Sequence, residues 1–447
     1  MSEQPEQLRI LFDVGILGDA FQYSLSSTGI ARVAENLLQA LAQRSDVILC
    51  PVTFTGNDYS CRKFLERETD FKSLDLSFLR ELGLQGRLTD LFYRLEFACR
   101  RAQSRANLPY KAFWGKTFKN LFKSLKQTLV RIDRRKHVLL HDQTWYYISI
   151  AGCPPDWLLK TKNVRAGLFI HDTIPLTHTQ YCKDAKIPRD YQKRLQAAKD
   201  AKFVFCISQN TRNELLRAES EIKPSCTHVI PMAAKSHFRP PEKTVDKKRL
   251  VGAYGIPFDR PFALSVCTIE PRKNLSTLVQ AYLLHLKENP ESDLDLVLAG
   301  PTGWETDQFM HLLNATSLID ERIHLTGFVE EEDLPGLYAS AEFFVYPSFY
   351  EGFGLPVIEA MQSKLPVICS NTSSLPEAGG SAGYYISPTD TPALALALTS
   401  MHHEPNLRQN YAEKSRAQAA KFSWNASASE LIRVLHSDPA PMRNGET

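Results

Sequence analysis

Short apolar runs alternate with amphipathic stretches along most of the chain. The runs are rich in Val, Ile, Leu and Phe and are bounded by Gly, Pro, Asn and Asp, which is typical of buried strands. Helical periodicity lies between them, for example over residues 29–43, 274–288 and 355–363. The alternation predicts a parallel-sheet α/β fold. The predicted strands are residues 8–14, 47–54, 137–142, 165–172, 203–208, 228–233, 262–268, 294–300, 322–328, 342–348, 365–371 and 382–387.

Polar loops directly follow several of these strands. Among them are "HDTIP" at the end of strand 165–172, "CTIEPRKN" at the end of 262–268 and "SFYEGFG" at the end of 342–348. Ligands in open parallel sheets bind beyond the carboxyl ends of the strands. Since loops from both halves fall at this end, we expect one cleft lined by both halves. The polar, Pro- and Lys-rich stretch 238–250 is the predicted boundary between them.

The composition is that of an ordinary globular protein and says little about partners. The length of 447 residues exceeds one ordinary core, so two domains are expected. The formal net charge is only +3, with 43% apolar and 23% charged residues. Nine cysteines are scattered without a CxxC pair, which favours a reduced, cytoplasmic protein over a disulfide framework or a zinc site. We expect neither a signal peptide nor a membrane span, which needs about 18 apolar residues.

Two carboxylates flank a glycine-rich turn in "FYEGFGLPVIEAM", residues 349–361. Gly352 and Gly354 favour a sharp turn with a close backbone approach, and Pro356 favours the first turn of a helix. Glu351 is therefore predicted in the loop, and Glu359 about one turn into the helix. The free backbone N–H groups and the dipole of such a helix start make an anion site.

Several stretches resemble glycosyltransferase family 4. "CTIEPRKNLSTLVQAY", "YPSFYEGFGLPVIEAM" and "SNTSSLPEAGG" are similar to its nucleotide-sugar domain, and "TGIARVAENLLQAL" and "HDTIPLTHTQYC" are similar to its acceptor domain. The resemblance implies the GT-B fold, in which two Rossmann-like parallel-sheet domains face a cleft. We expect an acceptor domain at residues 1–238, a nucleotide-sugar domain at 239–421, and a C-terminal helix at 422–437 that crosses back to the first domain.

The resemblance also implies a hexosyltransferase that retains the anomeric configuration. Its partners would be a GDP-, UDP- or ADP-linked sugar and a glycan or lipid-linked glycan acceptor. The "HDTIP" and "YC" residues resemble bacterial polysaccharide mannosyltransferases, which makes mannose the candidate sugar. Three alternatives share the fold: a nucleotide-sugar epimerase, a phosphorylase with a cofactor lysine, and a non-catalytic assembly subunit.

By the same resemblance, the two glutamates bind the donor. Glu359 would accept hydrogen bonds from the ribose diol, because a carboxylate offers the two acceptor oxygens that a diol needs. Glu351 would face the donor-sugar hydroxyls. The backbone that would contact the sugar and phosphate comprises Gly352, Phe353, Gly354 and Leu355.

Arg272 and Lys273 would stabilise the negative charge that develops on the departing diphosphate. Many family members carry another arginine earlier in this loop, within a "GR" pair. This chain has Cys267 and Thr268 there. The division of labour between Arg272 and Lys273 therefore stays open.

In the N-terminal half the resemblance points to His171, Gly29 and Arg32. His171 would lie over the donor sugar, although a histidine at a strand end can also be structural. Gly29 opens a helix and would let the backbone approach the diphosphate or the acceptor. Arg32, one turn further on, would either reach a phosphate or face solvent.

We expect no metal and no other cofactor. Asp293 and Asp295 form a D-x-D pair, which binds metal in other glycosyltransferases. Within "SDLDLVLAG" the two residues alternate as in a strand, so Asp295 is expected to point outward.

Residues 57–136 form a basic insert that fits the family least well. Between residues 100 and 136, Asp133 is the only acidic residue, and aromatic and aliphatic residues recur at helical spacing. Two interpretations stay open: the apolar stripe packs on the N-terminal domain, or a basic amphipathic helix lies on the anionic inner face of a membrane. Nucleic acid is not an expected partner.

Overall fold

The computed structural model contains two six-stranded sheets. It describes residues 7–23, 29–54, 57–76, 143–239 and 247–438, except 257–258, 317 and 320, together with residues 79, 92, 95 and 245. The strands are β1 Leu8–Asp13, β2 Val47–Val52, β3 Trp145–Ser149, β4 Val164–Ile170, β5 Phe203–Cys206, β6 Thr227–Val229, β7 Phe262–Val266, β8 Asp295–Ala299, β9 Ile323–Gly327, β10 Phe343–Tyr346, β11 Val367–Ser370 and β12 Gly383–Ile386.

Helices cover both faces of the sheets. Those described are α1 Gly15–Tyr23, α2 Gly29–Ala42, α3 Asp58–Arg67, α4 Asp156–Leu159, α5 Ile174–Thr177, α6 Lys186–Asp200, α7 Gln209–Ala218, α8 Lys247–Tyr254, α9 Leu275–Glu288, α10 Asp307–Ala315, α11 Leu334–Ser340, α12 Leu355–Gln362, α13 Leu375–Gly379, α14 Thr391–His403, α15 Pro405–Ala419 and α16 Trp424–His436. None of these is both long and apolar enough to cross a membrane.

The strand order places a crevice in each domain. The first sheet has the order β2-β1-β3-β4-β5-β6 and the second β12-β11-β10-β7-β8-β9. All neighbouring strands are parallel. The winding direction therefore reverses between β1 and β3 and between β10 and β7, and ligands bind where the order reverses. The loops after β7 and β10 flank that point in the second domain.

Adjacent strand residues pack into different cores. Ile10 and Phe12 of β1 belong to the large cluster that also includes the region between the domains, whereas Leu11 packs on the opposite face of the sheet with Tyr147. This alternation follows from the pleat, and burial on both faces is typical of parallel sheets. It explains why the strands are continuous apolar runs in the sequence.

The last helix, α16, packs against the first domain. Leu431 and Leu435 share a core cluster with Leu37 and Leu41 of α2. Just beyond the helix, the Asp438 carboxylate lies 3.2 Å from Arg165 Nε and 2.9 Å from Lys202 Nζ. The chain therefore returns to the first domain after the second sheet is complete.

A second set of contacts joins the domains near α7. The Glu377 carboxylate, in α13 of the second domain, accepts hydrogen bonds from the backbone N–H groups of Gln209 and Asn210 at 2.7 and 2.6 Å. These N–H groups belong to the first turn of α7, where a negative charge is favourable. The Tyr350 hydroxyl lies 3.0 Å from Thr173 Oγ1 and completes this side of the interface.

The fold agrees with the predicted α/β architecture, with one strand missed. Observed strands match all the predicted ones except residues 137–142, which lie outside the described residues. Strand β3, at Trp145–Ser149, was not predicted. Most of the basic insert also lies outside the described residues; the part that is described forms α3 and a short 3₁₀ turn at Thr69–Phe71.

The prediction that Asp295 points outward is wrong. Its side chain is buried, and its carboxylate lies 2.9 Å from both Arg322 Nε and His324 Nε2. Both faces of this parallel sheet are covered, so alternation along β8 does not separate solvent from core. Among the described residues, no cluster of three or more His, Cys, Asp or Glu side chains is placed to hold a metal ion.

Candidate active site

The carboxyl ends of the two sheets face each other across a cleft of about 560 Å³. It is lined by every residue that the sequence singled out: Gly29, Arg32, His171, Arg272, Lys273, Glu351, Gly352, Phe353, Gly354, Leu355 and Glu359. The structure therefore brings the candidate residues of both domains together, while their individual roles stay predictions.

Glu351 is buried beside the cleft and has a full set of partners. Lys273 Nζ and Ser348 Oγ donate to one carboxylate oxygen at 2.6 and 2.7 Å. Arg272 Nη1 lies 2.9 Å from the other oxygen. Burial acts to raise the pKa of this carboxyl, but Arg272 and Lys273 outweigh it and hold the pKa at about 2. Glu351 is therefore a fixed negative charge at neutral pH.

The two cations are held in place before any donor arrives. Arg272 Nη2 lies 2.5 Å from Glu270 Oε1, and Arg272 Nη1 donates to the Tyr350 carbonyl at 2.7 Å. Burial acts to lower the pKa of Arg272, but Glu351 and Glu270 raise it above its ordinary value. Lys273 Nζ also donates to the Tyr346 hydroxyl at 2.6 Å. One guanidinium and one ammonium group thus alternate with two carboxylates.

Glu359 joins the two domains. One of its oxygens lies 2.9 Å from Arg32 Nη1 of the first domain, and the other accepts from the Tyr338 hydroxyl at 3.0 Å. Burial raises the pKa of the Glu359 carboxyl, and Arg32 opposes that shift. Each of the two carboxylate oxygens therefore already accepts one hydrogen bond and keeps a further lone pair.

Of the two alternatives that the sequence left open for Arg32, the structure does not show a solvent-facing side chain. The guanidinium lines the cleft, contacts Glu359 and lies 4.0 Å from Glu331, and a contact with a phosphate stays a prediction. The partners are some 300 residues apart in the chain. No local pattern could have indicated this contact.

The loop requires glycine at two positions for different structural reasons. Gly354 has φ of +102° immediately before α12, in the left-handed region that favours glycine. At Gly352 a Cβ atom would lie 2.2 Å from the backbone carbonyl oxygen of His171. The predicted close approach is therefore between the backbones of the two domains, and the predicted turn leads into α12 as expected.

His171 is held as a neutral imidazole. Its Nε2 lies 2.8 Å from the carbonyl oxygen of Ile150. Because a carbonyl only accepts, Nε2 carries the proton and Nδ1 keeps its lone pair. Burial, with Arg194 nearby, lowers the pKa of His171 to about 4. The ring can accept a hydrogen bond from a hydroxyl group, but it is not a cation at neutral pH.

Sequence reasoning missed several residues of the cleft. Tyr338, Tyr346 and Ser348 hold the glutamates and Lys273, and Glu270 holds Arg272. Glu270 belongs to the "EPRKN" loop, and Tyr346 and Ser348 belong to "YPSFYEGFG", so these three lay within stretches that the sequence had already singled out, whereas Tyr338 did not. Phe328 is 42% exposed and lines the cleft, an unusual position for a large apolar side chain.

Comparison with known proteins identifies the family. The family described as "Glycosyl transferases group 1" matches residues 246–418. An O-antigen chain mannosyltransferase B from Escherichia coli is 34% identical over 281 residues, which are 63% of this chain and 72% of that protein. The chain belongs to the glycosyl transferases group 1 family.

Another relative of this glycosyltransferase is much longer. The serotype-specific mannosyltransferase WbdA from Escherichia coli is 30% identical over 261 residues, which are 58% of this chain and 32% of that protein. The chain thus spans about a third of that relative.

Solved structures show the same fold. Sucrose-phosphate synthase from Thermosynechococcus elongatus superposes with a TM-score of 0.61 at 19% identity, covering 96% of this chain and 98% of that one. WaaG, a glycosyltransferase involved in lipopolysaccharide biosynthesis, has a TM-score of 0.60 at 14% identity and covers 96% and 99%. This glycosyltransferase therefore has the two-domain α/β GT-B fold that the sequence predicted.

Proposed function

We propose that this glycosyltransferase moves a hexose from a nucleoside-diphosphate sugar to a glycan acceptor, with retention of the anomeric configuration. The observation that carries the proposal is the pair of buried carboxylates, Glu351 and Glu359, on either side of the N-terminus of α12 in one cleft. One suits the hydroxyls of a donor sugar and the other suits a ribose diol. The N-terminus between them suits the diphosphate.

Mannose is the proposed sugar. Two relatives from Escherichia coli are named mannosyltransferases, one of them for the O-antigen chain. This supports a growing polysaccharide as the acceptor. The proposed nucleotide is GDP, UDP or ADP, and thermal-shift measurements with each of them distinguish the three.

The proposed mechanism relies on position and charge. The acceptor oxygen bonds to the anomeric carbon while the bond from that carbon to the phosphate oxygen breaks, and the electron pair stays on the diphosphate. The acceptor proton goes to the departing phosphate oxygen on the same face. Arg272 and Lys273, already fixed beside Glu351, stabilise the growing charge.

Thermal shift and titration against GDP, UDP, ADP and their sugars test the donor. A ligand at 100 times its Kd stabilises the protein by about 2.7 kcal/mol. We expect the nucleotides of one base to stabilise the protein in this way. Glu359→Gln should weaken the binding of that nucleotide by about 1.5–3 kcal/mol, because a charged hydrogen bond is lost. Glu332→Gln changes an exposed neighbour that does not line the cleft and should have no effect.

Product analysis separates the alternatives. Transfer with the donor anomer retained, measured by NMR of the product, supports the proposal. Consumption of the donor without any acceptor would indicate an epimerase, and a yellow protein with a pyridoxal cofactor would indicate a phosphorylase. Absence of nucleotide binding in the folded protein would overturn the enzyme assignment of the cleft.

A further inference from the structure

The first domain contains a second cavity of about 560 Å³ next to the donor cleft. It lies between the ends of β3 and β4 and the helix α6. Ile30, His171 and Asp172 line both the cavity and the cleft. The two spaces are therefore neighbours that meet at the end of β4.

The charged groups of this cavity do not suit a phosphate. Arg194 is buried there, but its guanidinium donates to the main-chain carbonyls of Ser149, Ile150 and Phe169 at 2.7–3.0 Å, and also to that of Gly152. Its donors are thus already used by the protein, so it cannot form the paired hydrogen bonds with which arginine binds phosphate.

Carboxylates outnumber the remaining cation along the lining. Asp172, Asp184 and Asp190 line the cavity with Lys186. Asp184 Oδ1 accepts from the Lys186 backbone N–H at 2.8 Å, and Asp190 lies 2.9 Å from Lys193 Nζ. Carboxylate oxygens accept hydrogen bonds from hydroxyl groups and repel phosphate.

Apolar side chains complete the lining. Ile30 and Ile187 are 38% and 39% exposed, and they are among the few large hydrophobic residues of the described chain that face solvent. Both line this one cavity, together with Pro175. A cavity with apolar walls and a few convergent acceptors is suited to a neutral sugar ring, which has apolar C–H faces and hydroxyl edges.

Asp172 occupies the junction of the two spaces. Its Oδ1 accepts from the Ile174 N–H at 2.9 Å, and its backbone carbonyl accepts from the Tyr191 hydroxyl at 2.7 Å. Its Cβ would lie 3.2 Å from a Cβ placed on Gly352, so it sits directly against the donor loop. The carboxylate is therefore fixed where a group in the cavity would meet the donor sugar.

We propose that this cavity binds the terminal sugar of a neutral saccharide acceptor, and that Asp172 accepts a hydrogen bond from the attacking hydroxyl. The inference rests on the proposed function and narrows it to an uncharged acceptor end, excluding a sugar phosphate at this position. The proton itself still passes to the departing phosphate, as in the step written above.

Two variants of the full chain test the proposal. Ile187→Trp fills the cavity mouth, and its KM for a neutral oligomannoside should rise at least tenfold with nucleoside diphosphate affinity unchanged. Leu396→Trp is the matched control, since Leu396 is exposed on the other domain, and it should behave as wild type. Asp172→Asn should lower transfer by about a hundredfold while slow donor hydrolysis and nucleotide affinity stay within about twofold, since a misplaced nucleophile costs roughly that factor.

A binding measurement makes the test independent of turnover. Saturation-transfer NMR with the oligomannoside and nucleoside diphosphate should show binding to wild type and loss in Ile187→Trp. Binding of mannose phosphates in preference to the neutral saccharide would overturn the inference. So would an unchanged acceptor KM in Ile187→Trp, or loss of nucleotide affinity in Asp172→Asn. Failure of nucleotide binding in wild type would instead overturn the proposed function.

Discussion

Lys273 is a buried cation of the cleft. Its ammonium lies between Glu351 and Tyr346, and the residue is only 9% exposed. Because the protein has already fixed it there, little reorganisation is needed when negative charge develops on a leaving group. Its neighbour Arg272 shares the same carboxylate, so the structure does not divide the work between them.

Lys273→Ala should lower turnover by about 10²–10³-fold and donor affinity much less, because the charge that Lys273 meets grows in the transition state. Single-turnover rates and donor titration separate these effects. Lys287→Ala, an exposed position on α9, is the control. Wild-type turnover should not change in excess EDTA. Collapse of the rate in EDTA and its return with Mg²⁺ or Mn²⁺ would show that a metal, rather than Lys273, neutralises the diphosphate.

His171 predicts a pH effect on stability. Its pKa is about 4 in the folded protein and near 6.5 when unfolded, so the unfolded chain binds more protons between these values. The neutral ring therefore stabilises the fold above pH 6.5, and this contribution is lost as the pH falls towards 4. As the pH falls through this window, wild type should lose unfolding free energy relative to His171→Gln. The loss should be up to about 1.4 kcal/mol per pH unit.

Denaturant melts of the two proteins at several pH values measure that difference. Glu351 acts in the same direction but at lower pH, since its pKa of about 2 lies below its ordinary value. Other histidines titrate equally in both proteins, so they cancel in the comparison. A difference that is independent of pH between 4.5 and 6.5 would contradict the assignment of His171 as a buried neutral ring.

At the scale of elements, the apolar runs were sufficient to predict most strands. Strand β3, Trp145–Ser149, was missed because the neighbouring run at 137–142 was predicted as the strand of this region. The glycine loop before α12 was also predictable, because glycine and proline act through the local backbone. The partners of Arg32 and Asp295 were not predictable, since they depend on contacts between distant segments.

Gly352→Ala tests the close approach of the two domain backbones. The added Cβ would lie 2.2 Å from the His171 carbonyl, so the loop and the first domain must move apart. Turnover should fall by on the order of 10²-fold, because a displacement of about 1 Å at reacting groups costs that much. Gly252→Ala, in α8 with no atom within 4 Å of its Cβ, should leave turnover unchanged and stabilise the helix by about 0.5–1 kcal/mol. Full activity of Gly352→Ala would mean that the approach is not needed for transfer.

At the scale of the whole molecule, Glu377 connects the domains through the start of α7. Glu377→Ala removes two charged hydrogen bonds that cross the interface and should favour an open arrangement of the domains. Small-angle scattering should show a larger radius of gyration than wild type. Glu404→Ala, which removes an exposed carboxylate at a helix boundary within one domain, is the control. Identical scattering of wild type and Glu377→Ala would show that other contacts alone hold the domains together.

On the proposed function, the ribose diol and the Arg32 guanidinium share one carboxylate, that of Glu359. Each oxygen keeps a further lone pair beside its present partner. A diol that displaces Arg32 from this carboxylate would loosen one contact between the domains, and a departing nucleotide would allow the contact to re-form. By reciprocity, if nucleotide binding weakens this ion pair, loss of the ion pair should strengthen nucleotide binding. Arg32→Met should therefore bind a free nucleoside more tightly than wild type in a calorimetric titration, whereas weaker or equal binding would refute the competition. An arginine in the first domain would then time the release of product from the second.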